Sequence, residues 1–173
     1  MPISTITFPT ALRPAFGLIL LCLVPALFGQ AANALQTGDR FKDWTVRCEK
    51  PAEDMPDTCF IYQTLVNEQQ EPVLQMVVGY LGRDAQPVVI FTAPLGVALR
   101  PGVGVKVDQA DIFKLPYDRC GPQGCIAGGP LSDQHIQAFK NGVKSQIVLH
   151  DGRQPISLEI SLSGFTAGFN ALR

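Results

Sequence analysis

Ile156-Ser157-Leu158-Glu159-Ile160-Ser161-Leu162 alternates apolar and polar residues at every step. A period of two puts the isoleucines and leucines on one face and the serines and glutamate on the other, the mark of a half-buried β-strand. The residues before it, Asp151-Gly152-Arg153-Gln154-Pro155, carry turn chemistry and lead back to a second apolar run, Val143 to His150. Together they predict a β-hairpin. The same pattern recurs upstream in Trp44–Cys48, Cys59–Val66, Val73–Leu81, Val88–Thr92, Val103–Val107 and Ile112–Leu115. Polar or Gly/Pro-containing links separate these runs, among them Asn67–Pro72, which suits another hairpin.

One segment breaks the pattern with helical spacing. Ser132 can cap a helix, Asp133 falls in its first turn, Ile136 and Phe139 lie three apart, and Gly142 supplies a stop. Eight or so short strands with one short helix, and no βαβ rhythm, predict an all-β fold, an antiparallel β-sandwich.

The first 34 residues have a different character. Arg13 precedes an apolar stretch from Ala15 to Phe28, and Ala32-Asn33-Ala34 places small residues where a signal peptidase reads them. The run is shorter than the roughly 20 residues a spanning helix needs, and Pro25 interrupts it. Residues 1–34 are therefore expected to be a cleaved signal peptide, and residues 35–173 a single domain. No cysteine stands immediately after the cleavage point, so a lipoprotein anchor is not expected. The remaining chain holds 13 Lys and Arg against 15 Asp and Glu, a net charge of −2, with no basic run. That argues against nucleic acid as a partner, and no later apolar run is long enough to span a membrane.

Cys22 goes with the leader, which leaves Cys48, Cys59, Cys120 and Cys125. An even count behind an export signal reads as a disulfide framework in an oxidising compartment. Four cysteines allow three pairings. Local closure, Cys48 with Cys59 and Cys120 with Cys125, is favoured because short loops close most readily.

Few residues suggest chemistry. Cys120 and Cys125 could form a redox pair, but four residues separate them and the expected helix begins well downstream, unlike a Cys-x-x-Cys at a helix start. A four-sulfur zinc site is the other alternative, and the pair spacings do not match one. His135, placed on the solvent side of the helix, and His150 lie in no metal-ligand spacing. Asp108 with Asp111, and Glu53, Asp54 and Asp57, read as solvated acidic loops. Gly102-Val103-Gly104 leads into a strand, so it does not cradle phosphate. Trp44 and the closing Gly164–Phe169 segment are expected in the core rather than in an exposed patch. No catalytic, cofactor-binding or metal-ligating residue is nominated.

Taken in order, Phe41-Lys42-Asp43-Trp44-Thr45-Val46-Arg47-Cys48, Cys59 with Tyr62-Gln63, and Pro94-Leu95-Gly96-Val97-Ala98-Leu99 resemble a known family. Val105-Lys106-Val107-Asp108, Leu115-Pro116-Tyr117 through Cys120 and Gly124-Cys125, and Ser163-Gly164-Phe165-Thr166-Ala167 extend the likeness across nearly all of residues 36–172. The chain is similar to the invasion-associated locus B family of exported alphaproteobacterial proteins. That resemblance implies an immunoglobulin-like sandwich, periplasmic or surface-exposed, with both disulfides local and no established catalytic residue to carry over. The functional expectation is a non-enzymatic envelope or secreted protein that meets an unidentified protein or cell-surface partner, with host-cell invasion as the role in pathogenic relatives. The alternatives are a thiol–disulfide enzyme using Cys120 and Cys125, and a small-ligand binder.

Overall fold

The runs that alternate in sequence pair in space. The structure, a computed structural model, describes residues 34–50, 53, 57–81 and 86–173. The expected signal peptide falls, but for Ala34, outside the described residues.

One sheet contains seven strands in the order β1 (Arg40–Phe41), β2 (Trp44–Glu49), β3 (Thr58–Val66), β4 (Pro72–Gly79), β5 (Val88–Ala93), β9 (Gly124–Pro130) and β8 (Arg119–Gly121). The other contains four, in the order β11 (Pro155–Ser161), β10 (Lys144–His150), β6 (Val103–Val107) and β7 (Ala110–Leu115). Every neighbouring pair is antiparallel. Two sheets closing on one core is the architecture of immunoglobulin-like sandwiches, here with a meander of five consecutive strands in the large sheet.

Alternation decides what each strand buries. Val46, Ile61, Met76, Val78, Val89 and Phe91 of the large sheet share one core with Val103, Val105, Ile147, Leu149 and Ile160 of the small one. Full burial of such a side chain stabilises the fold by roughly 1.5–3 kcal/mol. The hairpin predicted at 151–155 forms as expected. Asp151 accepts from the backbone N–H groups of Arg153 (2.7 Å) and Gln154 (2.8 Å), and those bonds hold its carboxyl below its usual range, Gln154 contributing most.

The predicted helix is α1 (Asp133–Asn141). The Ser132 hydroxyl accepts from the His135 N–H, and the Ser132 N–H donates back to His135 Nδ1, both at 3.3 Å. This is a capping box with histidine where glutamate usually stands. His135 therefore does not sit on the solvent side as expected: it is half-buried, its ring centroid 4.6 Å from that of Phe113.

The expected single helix is corrected to two. α2 (Phe165–Ala171) has no side-chain cap and no charged residue in its end turns, so neither of the usual helix signals marks it. Its start depends on Gly164 at φ 90°, where a side chain would run into the Phe41 carbonyl. Packing then holds the short helix: Phe165 is fully buried, with Trp44 at 5.2 Å, Phe139 at 5.4 Å and Phe169 at 5.6 Å between ring centroids. Trp44, also fully buried, donates from its indole N–H to the Ser161 carbonyl at 3.0 Å, joining the two sheets. Both the tryptophan and the closing segment belong to the core, as the sequence suggested.

Candidate functional site

The two disulfides come first, because hairpin geometry creates them. Cys48 and Cys59 lie directly opposite each other on β2 and β3, and Cys120 and Cys125 do so on β8 and β9. Both pairs are bonded, with Cα separations of 3.9 Å and 4.0 Å. Cys48 and Cys59 pack against the core and Cys125 is buried, whereas Cys120 is exposed. No helix begins at the second pair; α1 starts at Asp133, beyond the end of β9. The dipole that activates helix-start thiols is therefore not supplied there.

The other residues that suggested chemistry have structural partners or stand apart. Asp108 accepts from the backbone N–H groups of Val143 (3.0 Å) and Lys144 (3.1 Å), tying the β6–β7 turn to β10. Asp111 pairs instead with Lys106 at 3.2 Å, so these two carboxylates do not share a site. His150 ends β10, where its carbonyl accepts from the Ala98 N–H. Gly102-Val103-Gly104 enters β6 as a strand. Asp54 lies outside the described residues, while Glu53 and Asp57 are exposed. Among the described residues, no group of three His, Cys, Asp or Glu side chains is placed to hold a metal ion.

The outer face of the large sheet is what the sequence reading missed. One step out of phase with Ile61, Val78 and Val89, successive strands present Phe60, Gly79 and Val88 in one row, and Tyr62, Val77, Ile90 and Gly128 in the next. An outward sheet face is ordinarily polar; this one has an aliphatic and aromatic centre. Phe60 and Tyr62 stand edge to face with centroids 6.5 Å apart. Gly79 leaves the flank of Phe60 open, since a Cβ there would come within 2.7 Å of the Phe60 Cβ. The result is a groove of about 270 Å³ lined by Phe60, Tyr62, Val77, Leu81 and Ile90 together with the polar side chains of Arg47, Glu49 and Gln75. Arg47 and Glu49 are themselves paired at 2.7 Å. A signal did exist: the β3 and β4 runs are too apolar for strands with one wet face.

Fold and site together define a class: a two-sheet antiparallel sandwich braced by hairpin disulfides, with partly exposed apolar side chains at the centre of the outer face of its larger sheet. The chain matches the model of the invasion associated locus B (IalB) protein family over residues 44–173 and belongs to that family. Invasion protein B homologues from Brucella abortus strain 2308 and from Brucella abortus biovar 1 strain 9-941 are each 25% identical to it over 144 residues, covering 82% of this chain and 81% of theirs. The crystal structure of invasion associated protein B from Bartonella henselae superposes with a TM-score of 0.68 at 24% identity, covering 80% of this chain and 96% of that one. The family resemblance read from the sequence is confirmed, as is the sandwich.

Proposed function

We propose that the protein is exported by its first 34 residues, matures in an oxidising compartment of the envelope or beyond it, and acts without catalysis by docking another protein on the outer face of its large sheet. The apolar centre formed by Phe60, Tyr62, Val77 and Ile90 carries this reading. Contiguous apolar surface rimmed by polar groups is characteristic of protein–protein contact sites. Hairpin disulfides support the compartment, because such bonds persist where thiols are oxidised. The pair Cys120–Cys125 is a brace in this reading, and the names of the Brucella and Bartonella relatives make a host-cell surface one destination for the contact.

A photo-crosslinking residue in place of Thr45, beside Tyr62 in the sheet register, tests the surface in living cells. The expected result is one dominant crosslinked protein, lost when Phe60→Asp or Ile90→Lys is added. Crosslinks that survive both changes would place the contact elsewhere. Mass spectrometry of the recovered protein tests the compartment: a chain starting at Leu35 with no alkylatable thiol is expected. Free Cys120 and Cys125 in that sample would favour the thiol–disulfide enzyme instead.

A further inference from the structure

A sandwich has four sheet edges, and three of them here are blunted. β1 is two residues long and β8 three, and β7 carries a register shift and packs against α1 and β9. Short edges, bulges and covering elements are the usual protections against strand addition. β11 is neither short nor bulged: seven residues pair with β10 in unbroken register, and only its two ends are protected.

Register also shows which of its backbone groups face outward. Leu162 donates to the Val143 carbonyl and Asp151 to the Gln154 carbonyl. Alternation from those two bonds turns Ile156, Leu158 and Ile160 toward β10, and Pro155, Ser157, Glu159 and Ser161 away from it. At one end Pro155 has no N–H to offer. At the other, the Ser161 carbonyl accepts from Trp44 and Gln63 and its N–H donates to the Gln63 side chain. Between these stops the N–H and C=O groups of Ser157 and Glu159 have no partner among the described residues. The open stretch is centred on Leu158.

We infer that β11 pairs antiparallel with β11 of a second copy about a two-fold axis through Leu158, joining two four-stranded sheets into one of eight. The choice of a second copy rests on self-complementarity. In that register Ser157 of each copy faces Glu159 of the other, so all four open backbone groups per copy are bonded and a hydroxyl meets a carboxylate. Shifting the axis to Glu159 would set two carboxylates against each other. Leu158 then lies against its own counterpart and Ile156, 38% exposed in the monomer, against Ile160. The Lys144–Glu159 pair, at 2.7 Å within one copy, leaves the strand edge clear. This interface is independent of the contact surface on the large sheet.

Sedimentation velocity on the purified exported protein across the micromolar range tests it. A monomer–dimer equilibrium is expected. Ser157→Glu places like charges opposite each other twice by symmetry and should weaken the dimer about tenfold. Ser157→Lys at the same exposed position should strengthen it. A monomer at every concentration overturns the proposal, and so does a dimer that both substitutions leave unchanged or move in the same direction.

Discussion

Replacing Phe165 with alanine tests whether the unforeseen helix is part of the core. The side chain is fully buried and touches three other aromatic rings, from β2, α1 and α2 itself. Phe→Ala changes in cores cost about 3–5 kcal/mol, the upper part of that range applying where neighbours cannot collapse into the cavity. Here Trp44 is held by its bond to the Ser161 carbonyl and Phe139 lies on a capped helix, so neither is free to move in. The expected loss is about 4 kcal/mol, and at about 3–4 °C per kcal/mol for a domain of this size the midpoint should fall about 12–16 °C. Trp44 is the chain's one tryptophan, and its fluorescence reports the transition from 5.2 Å away. Phe165→Leu, which keeps most of the volume, should lose less than half as much. A drop of under about 5 °C for Phe165→Ala would refute the reasoning, because it would mean that α2 packs loosely on the sandwich rather than completing its core.

Other expectations concern the braces and one buried hydroxyl. Cys48→Ser should cost about 3 kcal/mol and Cys120→Ser about 2 kcal/mol, following loop sizes of 12 and 6 residues, and the difference is readable in denaturant midpoints. Tyr117 has a hydroxyl out of solvent with no partner among the described residues, so Tyr117→Phe should be neutral or stabilising by up to about 1 kcal/mol in the same assay. Burial also raises the Tyr117 pKa. Its neutral form therefore favours the fold below the ordinary tyrosine value near pH 10, and that contribution fades as pH rises beyond it. Thermal melts on both sides of pH 10 should show a steeper alkaline loss in the parent than in Tyr117→Phe.

Local chemistry made several elements legible from residues alone. The strand at Ile156–Leu162 declared itself by strict alternation, and α1 by a serine cap, a helical pair of apolar residues and a terminal glycine. The cysteines were legible too, because each short loop spans two neighbouring strands of one hairpin, where closure is easiest. Other elements carried no such mark. Gly124-Cys125-Ile126-Ala127-Gly128-Gly129-Pro130 has three glycines and a proline, a poor strand by propensity, yet it becomes β9 between β5 and β8. Its hairpin with β8 is only three residues deep, and most of its ladder bonds come from β5, some thirty residues back in the chain, so little that is local could announce it. α2 is similar, a short uncapped helix that exists because Phe165 and Phe169 fill the space left by Trp44, Phe139 and Tyr80.

The two proposed contact surfaces divide along the same line. That Phe60, Tyr62, Val77 and Ile90 are apolar is written in the chain; that they gather on one outward face follows only from the register of three paired strands. The openness of β11 is likewise a property of its place at the end of a sheet, since the same seven residues in the middle of one would have no free backbone groups. Side-chain periodicity is local and survives in the sequence, whereas which strand lies beside which is settled by long-range pairing. Tertiary structure alone therefore decided what this sandwich leaves exposed.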